Sequence, residues 1–487
     1  MKRMHLKSFI LFAIIVGECI PYSGAAASKP NILWIVANDL STDLGCYGNT
    51  QVHTPHLDQL AKEGVVYENF FTVGAVCSTS RSSLITGMYS VSINSHNQFT
   101  KYKKPLPAPV VPFTDHLKKA GYFVTNSKGV QLENTGYYTG YNFAHDAEEL
   151  FDGTDWRNSA PDQPFFAQVH LTYAHRPFEA DPAHPVDPDK VALPPYYPDH
   201  PLARKDWALY LETIQLLDRQ IGEILKRLEE DGLADNTIVF FFADHGRPHV
   251  RGKQFLYDGG IHSPLIVRWP GHLIPGNQED RLISNVDLAA TAMHLADIEI
   301  PDYMHGQDFL GEAANARRYI FAMRDRCDGT VDRIRAVRTK DFKYIRNFYP
   351  EIPYTQFNAY KKWAYPVLTL LQVMYKNDEL SPEQARFMAP FRPAEELYDL
   401  SVDPFEMRNL AGEQKYQEKM AELRAELDRW LSAVDIAEYP EVSVEIQEAK
   451  NTMQADFKAN MKKKGLDPNI SDEDFLDYWE NEFLKNP

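Results

Sequence analysis

The sequence predicts an α/β fold: a large, mostly parallel sheet sandwiched by helices, then a smaller C-terminal unit of α+β character. Three observations lead there. The stretches 31–37 (NILWIVA), 164–170 (PFFAQVH) and 237–243 (TIVFFFA) are apolar runs without two-residue alternation, as strands buried on both faces of a parallel sheet require. A long amphipathic helical pattern at 204–231 separates the last two. From about residue 315 short alternating strands replace the long buried ones.

With 487 residues and 44% hydrophobic content, the chain is long enough for one large domain and a smaller companion. Residues 1–27 read as a secretory leader: Lys2, Arg3 and Lys7 precede an apolar run from Phe9 to Val16, and Ala25-Ala26-Ala27 offers a cleavage site. That run is too short to span a bilayer, so the expectation is export to the periplasm or medium without stable membrane insertion. Boundaries follow at 28–314 for the main domain, 315–440 for the smaller one and 441–487 for a polar helical extension. A formal charge of −17 argues against nucleic-acid partners, and any anionic substrate must be held by local cations. Cys46, Cys77 and Cys327 remain after the leader, too few for a disulfide framework.

Taken in order, the first buried strand ends at Asn38-Asp39, oxygen donors at the carboxyl end where open α/β sheets build their sites. Thr54-Pro55 opens a helix with a cap residue and a proline in the first turn. A strand over 67–76 leads into Cys77-Ser78-Thr79-Ser80-Arg81-Ser82-Ser83-Leu84-Ile85-Thr86-Gly87. This reads as a nucleophile at a helix N-terminus, where free N–H groups favour an anion, with Arg81 one turn on to fork around the same anion. His96 falls in the loop that follows, as a substrate-pocket candidate or a plain solvent histidine. A helix over 114–121 and a strand over 123–127 leave Lys128 at a strand end. The next buried run reaches His175-Arg176-Pro177-Phe178, and an imidazole there suits proton transfer near neutral pH. The third ends at Asp244-His245-Gly246; then come Lys253 and Tyr257-Asp258-Gly259-Gly260, a strand over 261–271 and a helix from Asn285 through Leu295. In the smaller unit, strands are read at 319–322, 334–337 and 342–346, with 396–400 and a charged helix to about 432 behind them. Arg324, Asp325 and Arg326 form a basic cluster, either a plain solubilising hairpin or a subsite for further anionic sugar units. The last fifty residues are polar and helical, with a capping-box start at Ser471 and no assigned chemistry.

In this order the motifs resemble the formylglycine-dependent sulfatase family, in its arylsulfatase and heparan N-sulfatase-like branch of the alkaline-phosphatase-like superfamily. The Cys-x-Pro-x-Arg core leading to Leu-x-Thr-Gly is matched by Cys77, Arg81 and Leu84 to Gly87, with Thr79 where the family has proline. Asn38-Asp39 stands where the family has an Asp-Asp calcium pair, Asp244-His245-Gly246 where it has Asp-Asn/His-Gly, and Lys253 with Tyr257-Asp258-Gly259-Gly260 where it has Lys-x-x-x-Tyr-Glu-Gly-Gly. Of the family's Gly-Lys-x-His motif only Lys128 is matched, because the histidine position holds Val130.

The resemblance implies a large mixed, mostly parallel sheet with a smaller α+β subdomain. It further implies Cys77 oxidised to formylglycine by a formylglycine-generating or radical maturase enzyme. One Ca2+ would be held by Asn38, Asp39, residue 77, Asp244 and His245. Arg81, Lys128 and Lys253 would spread the sulfuryl charge, and His175 would protonate the leaving group. Substrate candidates are sulfate esters or N-sulfo groups of a sulfated oligo- or polysaccharide such as ulvan or a glycosaminoglycan, with Arg324, Arg326 and His96 as further substrate contacts. Two other readings stay open: a phosphoryl or phosphonate ester hydrolase of the same superfamily, and a non-catalytic glycan-binding relative with an unconverted cysteine.

Overall fold

The computed structural model describes residues 29–133, 135–311, 316–437 and 443–485, so the leader lies outside the described residues. Seven strands form the main sheet: β1 (Asn31–Ala37), β2 (Val65–Phe71), β3 (Phe123–Lys128), β4 (Phe165–Leu171), β5 (Thr237–Ala243), β6 (Leu265–Arg268) and β7 (Asn277–Ser284). Their order is β3-β4-β1-β5-β6-β2-β7, and β6 alone runs antiparallel to its neighbours. The sheet is therefore mixed and mostly parallel.

β1, β4 and β5 are buried along their whole length, which accounts for their lack of alternation. Trp34 on β1 anchors one face, edge-on to Phe166 at 5.0 Å and Phe242 at 5.4 Å. Each such pair contributes about 0.5–1.5 kcal/mol beyond the area it buries. The helices of the first half are α1 (Pro55–Glu63), α2 (Cys77–Thr86), α3 (Phe113–Lys119), α4 (Ala147–Leu150), α5 (Pro201–Glu230), α6 (Asp258–Ile261) and α7 (Asp287–Leu295). The 30-residue α5 buries Leu211, Ile214, Leu217 and Ile221 in one core with β1 and β5, whereas Leu84 of α2, Leu117 of α3 and Leu288 of α7 fill the core on the other face.

Register fixes the site. Ala37 of β1 pairs with Leu171 of β4 and Ala243 of β5, so the residues that follow each strand emerge side by side. Asn38 N–H donates to Leu171 O at 3.1 Å and Asp244 N–H to Ala37 O at 3.0 Å, tying those exits together.

A four-stranded antiparallel sheet follows, ordered β11-β10-β9-β8, from β8 (Ile320–Arg324), β9 (Ile334–Arg338), β10 (Phe342–Asn347) and β11 (Glu395–Asp399). Between β10 and β11 lie α8 (Ala359–Ala364), α9 (Pro366–Lys376) and α10 (Pro382–Met388), followed after the sheet by α11 (Gln417–Val434), α12 (Ser443–Lys463) and α13 (Asp472–Glu480).

Three local expectations change. The strand read over 261–271 shrinks to β6, because Ile261 completes α6 and His262 caps it. β7 was not foreseen: it is an edge strand whose first half is polar and largely exposed. Thr54 does precede α1, but its hydroxyl accepts from Gly45 N–H at 3.0 Å and donates to Asp58 instead of capping the helix.

Candidate functional site

Cys77 is the first residue of α2 and half-buried. The chain reaches it from β2, which runs parallel to β5, so α2 starts on the same side of the sheet as the exits of β1 and β5. Around its Sγ stand His245 Nε2 at 3.3 Å, Lys253 Nζ at 3.6 Å and Asp39 Oδ1 at 3.8 Å. Asp39, Cys77, Asp244 and His245 place one donor atom each within 4.8 Å of one another.

The two carboxylates are fully buried and each is held by cations. Lys253 Nζ donates to Asp39 Oδ2 at 2.7 Å. Arg81 donates through Nε to Asp244 Oδ2 at 3.1 Å, and Asp244 Oδ1 also accepts from Asp39 N–H at 3.0 Å. Burial alone would push both carboxyls up; Lys253, His175 and His245 overcome that at Asp39, and His245 and Arg81 at Asp244, so both lie below the usual carboxylate range. Burial disfavours charge on His245 as well, but Asp244 and Asp39 outweigh it and lift the imidazole to about 10. Lys253 is likewise held well above its ordinary value by Asp39 and the thiol against burial.

This donor set fits a hard divalent cation: two buried, ionised carboxylates and an imidazole converge beside residue 77, and the positive charge they demand is otherwise met by protons on side chains. Asn38, at the exit of β1 beside Asp39, is tied to Arg81 and Tyr138. Its Oδ1 accepts from Arg81 Nη2 at 2.5 Å and its Nδ2 donates to Tyr138 Oη at 2.7 Å, since an amide beside a guanidinium pairs with it.

Arg81 also departs from expectation. Its guanidinium is 1% exposed, and its donors go to Asp244, Asn38 and His170 Nδ1 (2.8 Å from Nη1), so it positions the carboxylate rather than opening a fork towards an incoming anion. His170 ends on Asn126 Nδ2 at 3.2 Å, and beside Arg81 its buried imidazole lies well below its ordinary value.

His175 stands at the mouth, its side chain 33% exposed, with Nε2 3.8 Å from Asp39 Oδ2 and 3.4 Å from Tyr360 Oη. Its Nδ1 is 2.6 Å from Arg176 O, which fixes Nδ1–H as donor and turns Nε2 to the site. Arg176 braces this loop through a buried fork to Asp206, both contacts at 2.6 Å. Lys128, at the end of β3, is exposed, its Nζ 5.8 Å from the Tyr138 ring.

Three substrate candidates are corrected. His96 is 8% exposed and below its ordinary imidazole value through burial, in the field of Asp325 and Arg335; its carbonyl accepts from Thr79 Oγ1 at 3.1 Å. Arg324 is 3% exposed, paired with Asp332 at 3.4 Å and stacked over Phe255 at 4.7 Å. Arg326 is 2% exposed and paired with Glu445 at 2.8 Å. Burial therefore takes both out of reach of substrate: Arg326 is held by Glu445, and Arg324 lies 3.4 Å from Asp332 with no hydrogen bond from its guanidinium among the described residues.

The sequence reading missed Tyr138, His170 and Tyr360. His170 carried a signal, a histidine ending a wholly apolar strand, whereas the two tyrosines come from a loop and an inserted helix whose approach no local pattern announces.

Residues 30–298 match the sequence family described as Sulfatase, and residues 246–367 match N-sulphoglucosamine sulphohydrolase, C-terminal. An ulvan-active sulfatase of Formosa agariphila is 38% identical over 467 residues, covering 85% of this chain and 76% of that protein. Human N-sulphoglucosamine sulphohydrolase is 26% identical, covering 84% and 91%. Among solved structures, one described as a complex with its substrate D-glucosamine-2-N,6-O-disulfate superposes with a TM-score of 0.60 at 19% identity, covering 84% of this chain and 100% of that one.

Proposed function

This chain belongs to the sulfatase family and is a sulfuric ester hydrolase, and from that premise we propose that it is an exported carbohydrate sulfatase acting on sulfate esters of ulvan-type oligosaccharides. The relative that is 38% identical supports the substrate class, and the leader pattern supports export. The observation that carries the assignment of the centre is the convergence of His245 Nε2 at 3.3 Å and Lys253 Nζ at 3.6 Å on Cys77 Sγ.

Formylglycine at position 77 would supply, once hydrated, an oxygen nucleophile that could also release the sulfate afterwards. A Ca2+ would be held by Asp39, Asp244, His245 and residue 77, and when bound would supply charge stabilisation for the sulfuryl oxygens. The remaining work falls to this chain's own side chains. Lys253 Nζ lies beside residue 77 and donates to an equatorial sulfuryl oxygen as negative charge builds there. Arg81 fixes Asp244, and through Asn38 it orders Tyr138, beside which Lys128 lies. His175 turns Nε2 to the departing sugar oxygen, its Nδ1–H being locked on Arg176 O, and gives up a proton there only as the imidazolium, a form that burial disfavours and Asp39 favours.

The test is sulfate release, followed by ion chromatography, from ulvan oligosaccharides and from N-sulfated glucosamine. Release from the ulvan oligosaccharides, lost in Cys77→Ala, is the expected outcome. Release from N-sulfated glucosamine alone would overturn the substrate assignment.

A further inference from the structure

We propose that the cavity between α8 and α12 is a saccharide subsite that accepts an uncharged sugar ring adjoining the sulfated one. The inference rests on reading the Cys77 cluster as the sulfate site. The cavity measures about 500 Å³. Three aromatic side chains line it: Phe99, Tyr360 and Trp363. Tyr360 and Trp363 meet edge to face at 5.7 Å, so one ring braces the other as a platform. Phe99 is 62% exposed and held at φ 52, a backbone state that a bulky residue adopts only under constraint and that clusters at ligand-contacting positions.

Tyr360 stands between the Cys77 cluster and the cavity and touches both. Its hydroxyl is 3.4 Å from His175 Nε2 and its ring centroid 5.5 Å from Lys253 Nζ, while it also lines the cavity. In this reading a sugar whose departing oxygen faces His175 sets its neighbour on the far side of Tyr360, in this space.

Charge decides the class of that neighbour. The lining carries Asp328, Glu445, Glu448 and Asp456 against Lys101 and Arg326. Lys101 Nζ is taken by Glu448 at 3.0 Å and Arg326 Nη2 by Glu445 at 2.8 Å, leaving carboxylates in excess. Carboxylates accept hydrogen bonds from sugar hydroxyls and repel a sulfate or uronate. The C-terminal extension thus supplies one wall of a subsite, and Arg326 serves it by holding α12 in place and not by binding an anion.

The test uses the full-length enzyme and three probes: a sulfated monosaccharide, the disaccharide that adds a neutral hexose, and the disaccharide that adds a uronic acid. Trp363→Ala removes the platform, and Thr452→Trp, at an exposed lining position, fills the space without touching the core. The neutral disaccharide should be the best of the three substrates, and both variants should lower its kcat/KM, mainly through KM, at least tenfold more than they lower that of the monosaccharide. Equal losses on both, or a wild-type preference for the uronic disaccharide, would overturn the subsite. Calorimetric binding to Cys77→Ala separates this from the sulfatase reading. Binding of the neutral disaccharide that disappears on adding Trp363→Ala supports the subsite even if no sulfate is released, and binding indifferent to Trp363 overturns it.

Discussion

Lys253 Nζ bridges the carboxylate and the thiol that define the centre, 2.7 Å from Asp39 Oδ2 and 3.6 Å from Cys77 Sγ. A buried donor aimed at developing charge is worth about 10²–10³ in kcat. Lys253→Ala should therefore cut sulfate release by that factor with little change in KM, and steady-state kinetics that show a KM effect alone would contradict the role. A second residue-scale prediction concerns His305, whose Nδ1 accepts from Tyr89 N–H at 3.1 Å beside Arg317. Burial, then Arg317, lowers its imidazole to about 4. Between pH 6.5 and 4 the unfolded chain takes up this proton and the folded one does not, so stability falls as pH drops through that window. His305→Gln, which keeps an acceptor for Tyr89 N–H, should flatten the loss of Tm between pH 7 and 5; equal slopes would count against it. At this scale the sequence announced Asp39, Cys77, His175, Asp244, His245 and Lys253, because each follows an unmistakable strand or motif and parallel register gathers them. It did not announce the orientation of Arg81 and Asn38, which depends on which partner wins once all are buried together.

Helix α2 carries the departure from its family pattern at Thr79, in the first turn where backbone N–H groups have no intrahelical acceptor. Proline is tolerated there. Thr79→Pro forfeits one buried hydrogen bond to His96 O, about 0.5–1.5 kcal/mol, and restores the proline of the family pattern, which the proposed maturation would read. The expected outcome is a folded protein with a modest drop in Tm and a higher formylglycine fraction by peptide mass spectrometry. An unchanged or lower fraction would show that Thr79 does not limit conversion. Legibility also varied by element. β1, β4 and β5 were readable from burial on both faces. β7 was not, since an edge strand with a polar first half has no period that separates it from a loop. Helices α8 and α9 were hidden for the opposite reason: an insertion between two strands of one sheet leaves no trace in the strands themselves.

Across the whole molecule, the C-terminal helices are part of the body that holds the site. Phe475 and Trp479 of α13 join the same core as Leu368 and Leu371 of α9, and Lys362 Nζ reaches Asp472 Oδ1 at 2.5 Å. Removing Phe475, which is fully buried, should cost about 3–5 kcal/mol. Phe475→Ala should lower the temperature of one cooperative unfolding transition. A separate low-temperature transition in calorimetry would mean that the extension unfolds on its own. Among the described residues no helix is long and apolar enough to cross a membrane. The central claim, however, concerns residue 77, because Asp39, His245 and Lys253 are arranged around it. Its most direct test is the mass of the Cys77 peptide in protein that actively releases sulfate. The account predicts the aldehyde, trapped by a hydrazide probe and absent in Cys77→Ala. Full activity with an intact thiol at position 77 would contradict it.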